Sequence, residues 1–334
     1  MPLHADGKGP TKDMTPASDG LTKRGNAAPV ISSSAPIKRR PHTAGIPGRS
    51  QAGAAALLLT PALLGFVLFY IYPTVRGLGY ALSDFNLMND PSFVGLQNFR
   101  TVFTDAQVWD SMRITVIFAV ANIAIQMGIG LLLATFMQRM RARTWVRSLL
   151  LLPWLVPNVA IALIWGWLLD ANVGYLHNLL TRIGLDNVSF YNADAALPIV
   201  VVISAWAGAG YTALLLYAGM LQVPGDLYEA AAIDGASETR MFFQITLPLI
   251  RPVMALVLVV SLIGSFQVFD LVQVGYGGNP IPEVRVIYYY IYQQAFAFFD
   301  MGYASAIALM LAVVLAALTF VQMRLMRADR SDLA

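Results

Sequence analysis

Six apolar stretches run through the chain, at about residues 52–73, 113–137, 147–169, 195–222, 251–274 and 303–326. Each has the roughly 20 residues that a helix needs to cross a 30 Å hydrocarbon core. A bilayer admits only segments that satisfy their own backbone polar groups, so stretches of this length specify helices. The fold expected is an all-α integral membrane protein of six transmembrane helices with a cytoplasmic loop that itself forms short helices. Charged residues make up 12% of the chain, about half of the roughly 25% found in soluble domains. The first stretch, "AGAAALLLTPALLGFVLFYIYP", exceeds a signal-peptide core, and no small-residue cleavage site follows it, so it reads as a span.

Residues 1–49 are rich in Gly, Pro, Ser, Thr and Lys/Arg and poor in large apolar residues, a composition expected of a disordered basic tail. Residues 50–328 then form the transmembrane domain. Six spans put both ends of the chain on one side. On that side fall the tail, the Arg139–Arg147 loop, Arg240, Arg251 and the carboxy-terminal Arg324, Arg327 and Arg330. Together these hold 17 of the 22 Lys and Arg residues. The positive-inside rule therefore makes both termini cytoplasmic.

What the sequence lacks narrows the chemistry. It has no cysteine and three histidines, His4, His42 and His177, two of them in the tail, so neither a disulfide framework nor a histidine-rich metal site is expected. No G-x-x-x-x-G-K-[ST] loop occurs, and "GKGPTK" in the tail has the wrong spacing, so the chain is not expected to hydrolyse ATP. No HExxH or G-x-S-x-G motif marks an enzyme. A secondary transporter needs an ion or proton relay, and Asp270 is the one charged residue well inside a span.

The stretch "VPGDLYEAAAIDGASETRMFFQITLP" (residues 223–248) lies between the fourth and fifth spans, on the cytoplasmic side. Asp226 and Glu229 are spaced like a capping box. Alanine-rich residues 227–234 make about two turns. Gly235 suits the left-handed residue that ends a helix, and Ser237 can cap a second helix running through Phe242 and Ile245. Two short helices joined at an angle are expected in a loop over 224–248, either as a docking element or as a plain interfacial pair.

The spacing Glu229-Ala230-Ala231, three residues, Gly235, nine residues, Ile245-Thr246-Leu247-Pro248 resembles the signature of inner-membrane permease subunits of ATP-binding-cassette importers. The stretches "GLQNFRTVFTD", "LLPWLVPNVAIALIWGWLLD" and "YQQAFAFFDMGYASAIALMLAVV" are similar to the maltose-type, carbohydrate-importing branch, and the likeness covers about residues 55–326. The resemblance implies a loop that couples to a cytoplasmic ATPase through Glu229, Ala230, Ala231, Asp234, Gly235, Ile245, Leu247 and Pro248. It implies a second permease subunit, an ATPase dimer that binds the ATP and magnesium, and an extracellular sugar-binding protein. No cofactor belongs to this chain.

Polar side chains inside spans usually face a cavity or the bundle interior. Here they are Trp154, Asn158, Ser204, Tyr211, Ser261, Ser265, Gln267 and Asp270, with Gly208 permitting close approach. Ser261 and Ser265 lie four apart on one helix face, with Gln267 expected in the same helix. Asp270 falls near the outer end of its span, as a pathway residue or an interfacial one. Pro153 and Pro157 are expected to bend the third span. The resemblance places substrate contacts at Trp154, Asn158, Ser204, Gly208, Ser261 and Ser265. Small polar residues also serve tight helix packing, which is the alternative use of each. Val268 stands where the polar-rich members of the branch carry amides, so the main sugar site belongs either to this subunit or to its partner.

Overall fold

The computed structural model describes residues 49–88, 90–140, 143–185 and 188–327. The disordered tail expected over residues 1–49 lies outside them except for Arg49, which begins the first helix. The chain divides into two compact units, residues 1–59 and 60–334. The described part of the first is the opening of α1 (Arg49–Phe66); the second holds the remaining elements.

After α1 a wide turn, Val67–Ile71, leads into α2 (Tyr72–Ala81). A two-residue hairpin pairs β1 (Ser83–Asp84) with β2 (Ser92–Phe93), and α3 (Gln97–Thr104) follows. The long α4 (Ala106–Arg139) is capped by Asp105, whose side chain accepts from the Gln107 N–H. Next come α5 (Thr144–Leu155), α6 (Asn158–Leu168), α7 (Tyr175–Arg182) and α8 (Ala193–Met220), the last capped by Asn192. The loop helices are α9 (Gly225–Ile233) and α10 (Glu238–Met241), followed by a wide turn at Phe242–Thr246 and by α11 (Leu247–Leu249). The chain closes with α12 (Arg251–Phe266), α13 (Asp270–Gly275), α14 (Ile287–Tyr292), a wide turn at Gln293–Ala297 and α15 (Met301–Arg327).

Among the described residues, four helices are long and apolar enough to cross a membrane unaided: Ala55–Ala81, Ala106–Arg139, Ala193–Met220 and Met301–Leu325. Two bent pairs, Thr144–Leu155 with Asn158–Leu168 and Glu238–Leu249 with Arg251–Phe266, raise the count to six when each is one crossing. The first bend is the one expected from Pro153 and Pro157, whereas the fifth span departs from the continuous helix expected over 251–274. The first is 86°, because Pro157 forces Val156 out of the helical region (ψ 132°) and Pro157 itself is extended (ψ 134°). The fifth expected span stops at Phe266; Phe269 leaves helical geometry (φ −141°) and α13 starts afresh at Asp270.

The core forms around α8, which packs along α4 and against α5. The close α5 approach depends on Gly210, where a Cβ would overlap the Leu150 carbonyl oxygen. Three buried clusters result. One surrounds Phe118, Val200 and Tyr276; a second joins Val102, Ile287, Tyr290 and Tyr303; a third holds Met137, Leu216, Met220 and Ile250. Leu57, Leu58, Phe69 and many other large apolar side chains stay exposed, as a surface facing lipid requires.

Candidate functional site

The two helix breaks flank one cavity of about 570 Å³, within the roughly 300–1,000 Å³ of small-molecule sites. Non-helical backbone at membrane depth is tolerated where it lines such a cavity. The α5–α6 break brings Trp154 and Asn158 to it, and the α12–α13 break brings Gln267 and Asp270. From α8 come Ser204, Gly208 and Tyr211; from α12 come Ser261 and Ser265. All nine passage residues singled out in the sequence thus line a single space. Asp270, expected near the outer end of its span as a pathway or an interfacial residue, is the first residue of α13 and part of the wall.

The wall is chemically mixed. Trp154 lies flat against Tyr211, ring centroids 4.4 Å apart and planes 9° from parallel, a stacked pair that offers an aromatic face. Opposite in character are the side chains of Asn158, Ser204, Ser261, Gln267 and Asp270. None of these makes a hydrogen bond or ion pair to another described residue, and each lines the cavity. Polar groups serving only helix packing would be bonded across helices.

Ser265 differs. It is 3% exposed, and its Oγ accepts from the Asn122 Nδ2 at 3.0 Å. Asn122 leads to Gln126 (3.4 Å), and the Gln126 Nε2 donates to the Thr212 Oγ1 (2.8 Å) and the Gly208 carbonyl (3.5 Å). This network ties α4 to α8 and α12 along the cavity wall. A Cβ on Gly208 would come within 2.7 Å of the Gln126 amide, so glycine is what admits that side chain. Sequence reasoning missed Asn122, Gln126 and Thr212. The signal was two amides four residues apart in the otherwise apolar 113–137 stretch.

The 224–248 loop forms the angled pair expected of it. Gly235 has φ 73°, and the Ala236 N–H reaches the Ala231 carbonyl (2.9 Å) while the Gly235 N–H reaches that of Ala232 (3.1 Å). These are the two bonds of a Schellman ending. Ser237 caps α10, accepting from the Arg240 N–H at 3.3 Å. The capping box does not form: Pro224 occupies the N-cap position of α9, leaving Asp226 in the first turn with no side-chain cap bond at that end. Glu229, Ala230, Asp234 and Gly235 are exposed, and Ala231, Ile245, Leu247 and Pro248 are half-buried. Ile233 is 87% exposed.

A salt bridge fastens this loop to the bundle: Glu238 pairs with Arg139 at the end of α4 (2.6 Å). Within the loop, the hydroxyls of Tyr228 and Thr246 meet at 2.7 Å. The wide turn at Phe242–Thr246 accommodates Pro248, which has no N–H to give to Gln244. At the opposite end of α4, Asp105 accepts from the hydroxyls of Tyr290 and Tyr303. Burial pushes its carboxyl up, but the Tyr303 and Tyr290 hydroxyls and the Gln107 and Val108 N–H groups outweigh that and hold it below the ordinary value.

Residues 126–328 match the family described as "Binding-protein-dependent transport system inner membrane component". The sulfoquinovosyl glycerol transport system permease protein SmoG of Agrobacterium fabrum is 32% identical over 283 residues, covering 82% of this chain and 90% of that one. The sn-glycerol-3-phosphate transport system permease protein UgpA of Yersinia pestis is 33% identical, covering 83% and 95%. A solved chain of a bacterial ABC transporter involved in the import of the acidic polysaccharide alginate shares the fold, with a TM-score of 0.68 at 23% identity over 84% of this chain and 96% of that one. This chain is a multi-pass membrane protein and belongs to the family of inner membrane components of binding-protein-dependent transport systems.

Proposed function

We propose that this chain is one permease half of an ATP-binding-cassette importer that passes a mono- or oligosaccharide across the cytoplasmic membrane. The observation that carries the substrate class is the cavity. Its lining combines a stacked Trp154–Tyr211 pair with unpartnered hydroxyl, amide and carboxylate groups, and a sugar presents apolar ring faces and hydroxyl edges that match both. The carbohydrate-linked names of related permeases support the same reading.

A second, related permease completes the passage, and an external binding protein delivers the solute. ATP and magnesium are held by two copies of a cytoplasmic ATPase, not by this chain, and both termini face the cytoplasm. The α9–α10 pair is the element the ATPase grips, through the exposed Glu229, Ala230, Asp234 and Gly235, with Ala231, Ile245, Leu247 and Pro248 anchoring it. Closure of the ATPase dimer then moves the loop. Because α10 is tied to α4 through Glu238 and Arg139, that motion reaches the helix whose Asn122 and Gln126 line the cavity. The solute site is thereby exposed to alternate sides.

A phosphate ester is the second reading, favoured by the relative named for sn-glycerol-3-phosphate. ATP-dependent uptake by the assembled system in proteoliposomes tests both. Accumulation of a neutral sugar supports the first; accumulation of glycerol phosphate alone supports the second.

A further inference from the structure

We infer that the solute carries no negative charge, and that Asp270 is the residue that excludes anions from the cavity. The inference deepens the carbohydrate reading and rests on it for the word solute. The electrostatic claim stands on the lining alone.

Among the described residues, no Lys, Arg or His lines the cavity, and Asp270 is the one carboxylate that does. The remaining lining groups are amides, hydroxyls, rings and aliphatic chains, which offer dipoles but no positive charge. Asp270 has no ion-pair or hydrogen-bond partner among the described residues, so within them no cation neutralises its field. It also occupies the first turn of α13, where the free backbone N–H groups would otherwise attract an anion. In a space walled by apolar spans, screening is weaker than in water, and a like charge beside Asp270 is strongly disfavoured. Neutral hydroxyl-rich solutes meet no such barrier and find donors and acceptors at Asn158, Ser204, Ser261 and Gln267. An amino sugar gains an attraction.

The chain has no cysteine, which permits a direct reading of the cavity's potential. Ser261→Cys places one thiol on the wall. In the assembled transporter in nanodiscs, its reaction rates are measured with an anionic, a neutral and a cationic methanethiosulfonate of similar size. Each rate is divided by the reagent's rate with free thiol. The expected result is a cation-to-anion ratio of at least about tenfold, the factor that 1.4 kcal/mol corresponds to. In Asp270→Asn the ratio falls to near one, and in Asp270→Glu it is retained. The neutral reagent reports that the cavity is intact in each variant. An anionic reagent that reacts as fast as the cationic one, or a ratio unchanged in Asp270→Asn, overturns the inference. Uptake of glucose, glucosamine and glucuronate by the same preparation separates the two readings. Failure to move any of the three counts against the carbohydrate assignment while leaving the thiol ratio to judge the filter. Accumulation of glucuronate in preference to glucose counts against the filter itself.

Discussion

The Asn122 amide nitrogen donates to the Ser265 hydroxyl across the α4–α12 interface at 3.0 Å, while the Asn122 Oδ1 is buried without a partner. Ser265 is therefore already engaged, whereas Ser261, one turn away on the same face, is free toward the cavity. The two serines separate a packing role from a solute role. Ser265→Ala removes the shorter of the two bonds that the Asn122 amide nitrogen donates, leaving Gln126 at 3.4 Å, and is expected to lower stability by about 1–3 kcal/mol. The double variant Asn122→Leu/Ser265→Ala removes both partners and recovers most of that loss. Ser261→Ala leaves stability near wild type and weakens uptake instead. Thermal unfolding in nanodiscs, set beside uptake, checks all three; a double variant less stable than Ser265→Ala contradicts the account.

Gly235 stands in open space, so its substitution tests backbone conformation and not a clash. With φ at 73°, any side chain costs about 1–2 kcal/mol there, and a β-branched one more. Gly235→Val is expected to change the angle between α9 and α10 and to abolish uptake while residual ATPase activity persists. Gly235→Asn, which tolerates the left-handed region, retains most uptake. Parallel uptake and ATPase assays decide; full uptake by Gly235→Val counts against the turn.

Gly210 is the opposite case, since a Cβ there meets the Leu150 backbone, which has no rotamer with which to yield. Gly210→Ala is expected to push α5 away from α8 and to cost about 1–3 kcal/mol. The displaced α5 carries Trp154, so the Trp154–Tyr211 stack loosens with it. Tryptophan fluorescence and thermal unfolding report the two effects together.

Asp105 ties the start of α4 to Tyr290 on α14 and Tyr303 on α15. Its carboxyl is held below the ordinary value, so its contribution is fully present above the unfolded value of about 4. That contribution declines as pH falls through the lower folded value. The stability difference between wild type and Asp105→Asn is expected to be constant near neutrality and to shrink as pH drops below about 4. Unfolding followed across that range measures it; a difference that grows on acidification contradicts the assignment.

The sequence made the membrane class and the loop pair readable because each depends on local rules. Span length follows from bilayer thickness, and Gly235 followed by Ser237 marks a helix end and a new cap. The cavity lining was readable in large part for one reason: polar residues in apolar spans turn away from lipid. The same reasoning applied to Asn122 and Gln126 points to α4 as well. The breaks were less legible. Pro153 and Pro157 announce a bend but not its 86°. "SFQVFD" (residues 265–270) contains neither Gly nor Pro, so the gap between α12 and α13 is set by tertiary packing. Helix ends were also hidden: α2 extends to Ala81 and α4 begins at Ala106, because a helix continues past the apolar run while its backbone bonds remain satisfied. Asp226 failed as a cap because Pro224 already holds that position.

The central claim is that this chain is a permease gripped by an ATPase at the α9–α10 loop. The most direct measurement is a pull-down of the tagged chain from mild detergent, with mass spectrometry of its companions, beside a variant carrying both Glu229→Ala and Gly235→Val. The account predicts that an ATPase and a second permease accompany the wild type, and that the variant loses the ATPase while keeping the permease. A chain that emerges stable and alone, or as a homo-oligomer without an ATPase, would contradict it.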